Sequence, residues 1–214
     1  FDTMKNIVDC RLLTVLILTA AVAEAQMSPP NGALSSGNFQ WRVGPPLLAV
    51  DQERLPPSVE HPWLAVKDPS VVRHGDRWHL FCTLRKDKQG DGRIRIGYTS
   101  FADWADAKDS DWSVLNLTMG YHGAPQIFYF EPHKKWYLIY QAEDQTRQLK
   151  YGPCFSTNDN ITNASGWTLP EPLYVVPEGT KAGLDFWVIC DQQKAHLFFT
   201  SLNGKMWRTE TTLD

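Results

Sequence analysis

One pattern in this chain occurs three times and decides most of what it can fold into. Asp68-Pro69-Ser70-Val71-Val72 runs on to Asp76-Arg77-Trp78-His79-Leu80-Phe81, and Ala124-Pro125-Gln126-Ile127-Phe128 runs on to Lys134-Lys135-Trp136-Tyr137-Leu138-Ile139. The third copy is Leu184-Asp185-Phe186-Trp187-Val188 followed by Lys194-Ala195-His196-Leu197-Phe198. Each is a short apolar strand, a polar turn and a second strand carrying aromatics. The leading positions 68, 124 and 185 lie 56 and 61 residues apart. A third strand is predicted over residues 96–100 and again over 153–157, and a fourth over 112–114 and 167–169. Four short strands recurring every ~40–60 residues describe the blades of a β-propeller. A single four-stranded sheet buries little by itself, so such blades pack face to face around a channel. The chain holds two full units and most of a third, and a propeller closes with at least ~4 blades. About three blades of a larger ring are therefore expected, with a β-sandwich of coincidental spacing as the competing fold.

Composition narrows the class further. With 43% apolar residues and a formal charge of −3 over 214 residues, the chain is not of the disordered type. It has no run of Lys or Arg, so no nucleic-acid footprint is visible. Residues 1–25 read as a secretory signal: Met4-Lys5, Arg11, an apolar run from Leu12 to Val22, and Ala23-Glu24-Ala25 as the cleavage site. The apolar run is too short for the ~20 residues that a bilayer core needs. Residues 1–3 then precede the true start, and the protein is expected to be secreted, without a membrane partner. Residues 26–60, rich in Pro, Gly and Ser, read as a partly extended lead-in, and 61–214 as the partial propeller. Cys82, Cys154 and Cys190 sit in strand-like runs and are expected to be buried thiols, one disulfide being allowed. The six His lack metal-ligand spacing, so no metal site is expected.

In a propeller the innermost strands line the channel and their leading residues gather at one mouth. Side chains some sixty residues apart then converge, and two of the three leads here are Asp68 and Asp185. Each carboxylate is set among apolar residues, where desolvation and neighbouring charge pull acid and base pKa values apart. Taken singly, either Asp reads as an ordinary turn residue; the shared phase is what raises them above that. Carboxylates facing a pit rimmed with aromatics suit glycoside hydrolysis, where one activates water and a second, protonated, group serves the leaving oxygen. Trp63, Tyr121, Phe186 and Trp187 are candidates for stacking on sugar, although core packing is the commoner use of such residues.

Several blocks carry a family likeness. Ala65-Val66-Lys67-Asp68-Pro69-Ser70, the stretch Gly120-Tyr121-His122-Gly123-Ala124-Pro125-Gln126-Ile127-Phe128-Tyr129-Phe130, Lys135-Trp136-Tyr137-Leu138-Ile139-Tyr140-Gln141 and Asp185-Phe186-Trp187-Val188-Ile189-Cys190-Asp191 resemble glycoside hydrolase family 62, in order from about residue 40 to 214. That resemblance implies a five-bladed propeller and a secreted, inverting α-L-arabinofuranosidase that removes arabinofuranosyl side groups from arabinoxylan. It implies Asp68 as general base, Asp185 as the residue that orients the acid and tunes its pKa, and Lys67 as a contact to arabinose. His122, Gln126 and Phe186 are carried over as further substrate-binding residues. By the same likeness the general acid, a Glu, lies beyond residue 214, so this piece alone is expected to be inactive. No cofactor is required, a structural Ca²⁺ is known in related propellers, and a monomer is expected. The segments 141–148 and 85–93 look longer than the usual loops. Two other readings stay open: a non-catalytic, glycan-binding propeller, and a hydrolase of the neighbouring propeller family 43.

Overall fold

The computed structural model describes residues 36–37, 41–55, 62–87, 92–176, 178–179 and 181–214, and the signal read over residues 1–25 lies outside them. Two compact units are distinguished, residues 1–43 and 44–214; everything that follows concerns the second. Three antiparallel sheets follow one another along the chain. Sheet I orders β1 (Trp63–His74), β2 (Arg77–Lys86), β3 (Ile94–Phe101) and β4 (Trp112–Val114). Sheet II orders β5 (Tyr121–Phe130), β6 (Lys135–Asp144), β7 (Leu149–Asn158) and β8 (Glu171–Pro172). Sheet III consists of β9 (Leu184–Cys190), β10 (Lys194–Thr200) and β11 (Met206–Thr212). Within each sheet every strand pairs with its neighbour in sequence, the meander of a propeller blade. The fold is therefore all-β and propeller-like, and among the described residues no helix is long and apolar enough to cross a membrane.

Burial explains why the sheets stack. Strand β2 is buried along six consecutive residues, since sheet I is covered on both faces. On one face Leu80, Cys82, Leu84 and Trp112 pack with Leu55, Leu48 and Val50, so the last part of the Pro-rich lead-in is anchored to sheet I. On the other, Phe81, Ile96 and Tyr98 meet Ile127, Leu138 and Tyr140 of sheet II. Sheet II in turn packs Ile139 against Phe186 and Leu197 of sheet III. Strand β11 is exposed along its whole length.

Two expectations are corrected here. The fourth strand of sheet II lies at Glu171–Pro172, paired with Phe155 and Cys154, rather than over 167–169. Thr168 still bonds Thr157 twice, but one of the two bonds is accepted by its side-chain hydroxyl, so no ladder forms there. The supposed long loop over 141–148 is the end of β6 plus one 3₁₀ turn, Gln145–Arg147, capped by the Asp144 carboxylate. Of the segment 85–93, residues 88–91 lie outside the described residues. Cys82 and Cys154 are buried free thiols, whereas Cys190, at the end of β9, is exposed.

A repeated irregularity locks neighbouring sheets together. In β1, β5 and β9 the pairing slips at the same place: Asp68 and Pro69 stand opposite Cys82, Ala124 and Pro125 opposite Tyr140, and Asp185 and Phe186 opposite Phe199. The first residue of each bulge is left-handed, with φ of 54°, 54° and 57° at Asp68, Ala124 and Asp185. Two residues beyond the lead, a side chain reaches the next sheet: Ser70 Oγ accepts the Ile127 N–H at 3.0 Å, and Gln126 Oε1 accepts the Val188 N–H at 2.6 Å. Gln126 also donates from Nε2 to the Val188 carbonyl at 2.7 Å, so its amide acts as one rung of a strand. Replacing Gln126 by Leu strands both Val188 groups. We expect a loss of about 2–4 kcal/mol in urea unfolding, against about 1–2 kcal/mol for Ser70→Ala, which strands one N–H.

Candidate active site

The bulge determines where the leading side chains point. A residue pair opposing a single partner bends the strand and re-aims the first side chain out of the pleat. Inner strand β5 packs against β1 on one side and β9 on the other, so Asp68, Ala124 and Asp185 stand in a row in a common backbone conformation. Asp tolerates left-handed φ better than most residues, so the two acidic leads suit the turn as well as any chemistry. Both aspartates are exposed at the surface of the unit.

The electrostatics show that the two carboxylates share one neighbourhood. The Tyr121 phenol is held above its ordinary pKa first by burial, then by the negative charge of Asp68, and in smaller part by that of Asp185. Tyr151 is pushed up by burial and then by Tyr121, with Asp185 and Glu143 adding to it. The Tyr121 and Tyr151 rings lie 5.5 Å apart, and the Tyr151 hydroxyl donates to Gln141 Oε1 on β6. A wall of phenol and amide groups thus runs beside the acidic leads. Tyr121 is half-buried and Gln141 buried, which keeps this wall in place. Lys67 Nζ stands 3.4 Å from Asp68 Oδ2, with half of the Lys side chain open to solvent. An ion pair so exposed holds weakly, so the ammonium can turn to a ligand hydroxyl at little cost.

The other residues taken from sequence have different duties. His122 is fully buried, and its Nδ1 accepts the Ile96 N–H at 3.0 Å where β4 no longer reaches β3. It bridges sheets I and II, and its Nε2 is buried with no hydrogen-bond partner. Gln126 is engaged by Val188 on both ends of its amide, and Phe186 is buried between sheets II and III against Ile139, Leu197 and Phe199. Trp63 is likewise core, whereas Trp187 is 47% exposed on sheet III. Sequence reading overlooked Tyr151 and Gln141. Register carries the signal for Gln141, since it pairs with Gly123, the residue before a lead. Gly123 itself is required by close approach: a Cβ there would come within 2.8 Å of Ile94 Cγ2.

Two of the cavities lie along sheet III. One of about 750 Å³ is bounded by Tyr174, Phe199, Leu202 and Trp207, and one of about 370 Å³ by Phe128, Tyr137, Phe155 and Leu197. Neither includes the aspartate leads, and both are mainly apolar seams left where sheet III meets its surroundings. Among the described residues no three His, Cys, Asp or Glu side chains gather to hold a metal ion.

Acidic leads on the two inner strands that flank β5, with phenol and amide groups alongside, define a propeller-like protein of the glycoside-hydrolase class. The glycosyl hydrolase family 62 profile matches residues 56–214, and the chain belongs to that family. It is 36% identical over 152 residues to alpha-L-arabinofuranosidase C of Cellvibrio japonicus, covering 71% of this chain and 22% of that protein. Its fold is similar to the catalytic domain of a Coprinopsis cinerea family 62 arabinofuranosidase, with 37% identity and a TM-score of 0.62 over 74% of this chain and 49% of that one. It is also similar to the Podospora anserina arabinofuranosidase PaAbf62A, solved with cellotriose, at 33% identity and a TM-score of 0.61, again over 74% and 49%. The chain therefore spans about half the length of these solved relatives.

Burial without a second partner gives His122 a pH signature. Its pKa is pushed well below the usual 6.5 by desolvation, with Arg95 adding to this. Above that value both folded and unfolded states hold a neutral ring. Below it only the unfolded chain takes up the proton, so stability falls as pH drops, by up to about 1.4 kcal/mol per pH unit for one site. Urea midpoints measured at pH 7.5 and 5.5 should converge in His122→Gln relative to the unsubstituted protein; an equal acid loss in both would overturn the assignment.

Proposed function

We propose that this chain carries the general-base half of an inverting α-L-arabinofuranosidase site that removes arabinofuranosyl side groups from arabinoxylan. The observation that supports it best is the identical left-handed bulge presenting Asp68 and Asp185 on the two strands flanking β5, with Tyr121 sensing both charges. In this reading the Asp68 carboxylate takes a proton from the water that attacks the anomeric carbon. Asp185 orients the general acid and tunes its pKa, and Lys67 binds a hydroxyl of the arabinose. The acid, a Glu that protonates the leaving xylose oxygen, is assigned to sequence beyond residue 214, since no Glu occupies a lead position here. Sheets I to III are then blades of a five-bladed ring, and residues 26–60 lead into it. Residues 1–25 direct secretion, which brings the enzyme to plant polysaccharide, where it acts as a monomer.

A related enzyme solved with cellotriose and a family 62 hydrolase solved with xylotriose support a substrate with a sugar-polymer backbone, since each of those proteins accommodates an oligosaccharide. The carboxylates supply the chemistry of displacement: the base raises the nucleophilicity of water, and removing such a group costs about 10²–10⁴ in rate. The protein expressed from its full reading frame should release arabinose from arabinoxylan with inverted configuration, followed by NMR of the first anomer formed. Asp68→Asn, close in shape and equally at ease in a left-handed turn, should lower kcat by about 10²–10⁴-fold with the fold unchanged. Undiminished release by Asp68→Asn would remove Asp68 from the mechanism. The 214-residue chain alone should release none.

A further inference from the structure

The described residues hold three Asn-X-Ser/Thr sequences, the acceptor pattern for an N-linked glycan: Asn116-Leu117-Thr118, Asn160-Ile161-Thr162 and Asn163-Ala164-Ser165. All three asparagines are exposed, so burial does not choose among them. Local bonding does. At Asn160 the side-chain oxygen accepts both the Thr162 N–H, at 3.0 Å, and the Thr162 hydroxyl, at 2.7 Å. No bond among the described residues engages the Asn160 amide nitrogen, which is left as the uncommitted atom of an exposed side chain. At Asn163 the oxygen takes only the Ser165 N–H, at 3.1 Å, and the amide nitrogen is crowded, since a Cβ on Gly166 would stand 2.8 Å from it. At Asn116 the partner hydroxyl is spent elsewhere: buried Thr118 donates to the Tyr121 carbonyl at 3.4 Å.

We propose that Asn160 is the principal N-glycan acceptor of this chain. In the transfer, its Nδ2 attacks C1 of the first sugar of an oligosaccharide carried on a lipid pyrophosphate. A C–N bond forms, the C1–O bond breaks with its electron pair leaving on the pyrophosphate, and one amide proton passes to a base of the transferase. The inference rests on the secretion reading of residues 1–25 and is independent of the arabinofuranosidase chemistry. Both Thr162 contacts span two residues, so they are available to the nascent chain before any sheet forms. The finished fold also accommodates a glycan there. The turn is held from beneath by Ile161, fully buried with the side chains that join sheets I and II. Buried Asn158 accepts the Asn160 N–H at 3.0 Å and donates to the Asn163 carbonyl at 2.8 Å. A sugar on Nδ2 therefore displaces no core contact. It also stands away from the acidic leads along the strands: β7 ends at Asn158, opposite Trp136, whereas the lead Ala124 lies opposite Tyr140. Those four residues of β6 span about 13 Å at the rise of an extended strand.

The test expresses the full reading frame in a eukaryotic secretory host, once with its own N-terminus and once with an established secretory leader in place of residues 1–25. Protein recovered from medium and cells is treated with an N-glycosidase in heavy-oxygen water, which converts each glycosylated Asn to an Asp carrying the heavy atom, and its peptides are weighed. The label should appear at position 160 in most molecules, more often than at 116 or 163, and should be lost from 160 in Thr162→Ala and kept in Thr162→Ser. Label at 160 only in the version with the borrowed leader would support the acceptor and overturn the secretion reading alone. An unlabelled position 160 in both versions, or heavier labelling at 116 or 163, would overturn the proposal. Arabinose release by Asn160→Gln should match that of the unsubstituted protein, and a loss there without a loss of folding would overturn the separation of this turn from the acidic leads.

Discussion

The bond from Gln126 to Val188, and its counterpart from Ser70 to Ile127, is the contact on which the arrangement of the three sheets depends. A strand at the edge of its sheet leaves alternate backbone groups without ladder partners, and buried groups of that kind are costly. Here the N–H three residues past each of the second and third leads is taken up by a side chain two residues past the preceding lead. Strands β5 and β9 each stand at the edge of their sheet, so outward-facing N–H groups lack a ladder partner, and the preceding sheet supplies one at Ile127 and Val188. Apolar burial between the sheets supplies most of the driving force but is indifferent to small slides. The side-chain rungs remove that freedom and fix the phase of each inner strand relative to the next.

That phase is also why so much was legible beforehand. The four-strand units and the three leads followed from a pattern that recurs at fixed offsets, because each copy solves the same packing problem. The residues carried over as substrate-binding are held in contacts between the sheets. Phe186 sits one residue past its lead and Gln126 two past, and those offsets are spent on core packing and on the inter-sheet rung respectively. His122 lies two before its lead and faces the seam. Nearness to a motif in sequence says nothing of which face a strand residue takes, and a bulge reverses that face within two residues. Tyr151 and Gln141 were hidden for a different reason: they reach the site by pairing across β5, β6 and β7, a relation of register that no local pattern displays.

The sequence of lead-plus-two residues, Ser70, Gln126 and Trp187, also shows where the device stops. Serine and glutamine have an oxygen that can accept an N–H; the indole of Trp187 has only a donor. Sheet III therefore carries no rung of this type on that position, and offers instead a half-exposed aromatic with Ile189 and Met206 also open to solvent. A charged cluster stands on the same sheet, with His196 Nε2 at 2.9 Å from Asp191 and Arg208 at 3.2 Å from Glu210. The three sheets are thus alike in their bulges and unlike in how each meets what lies beyond it.

Placing the carboxylates on bulges in paired strands, rather than on the tips of loops, has a consequence for the chemistry proposed. A base is effective only if its oxygen waits where the attacking water will be, and an error of about 1 Å can cost about 10²-fold. A loop meets that demand only when something closes over it. Asp68 meets it through pairing on both sides of the slip, Lys67 with Thr83 before it and Ser70 with Phe81 after it, and Asp185 through Leu184 with Thr200 and Trp187 with Phe198. The strain of a left-handed residue is held by these flanking rungs, so the aim of each carboxylate is built into the sheets before any sugar arrives. A variant that loosens a rung, such as Gln126→Leu, should then disturb the relative placement of the two acids as well as the stability of the stack, because one set of bonds serves both.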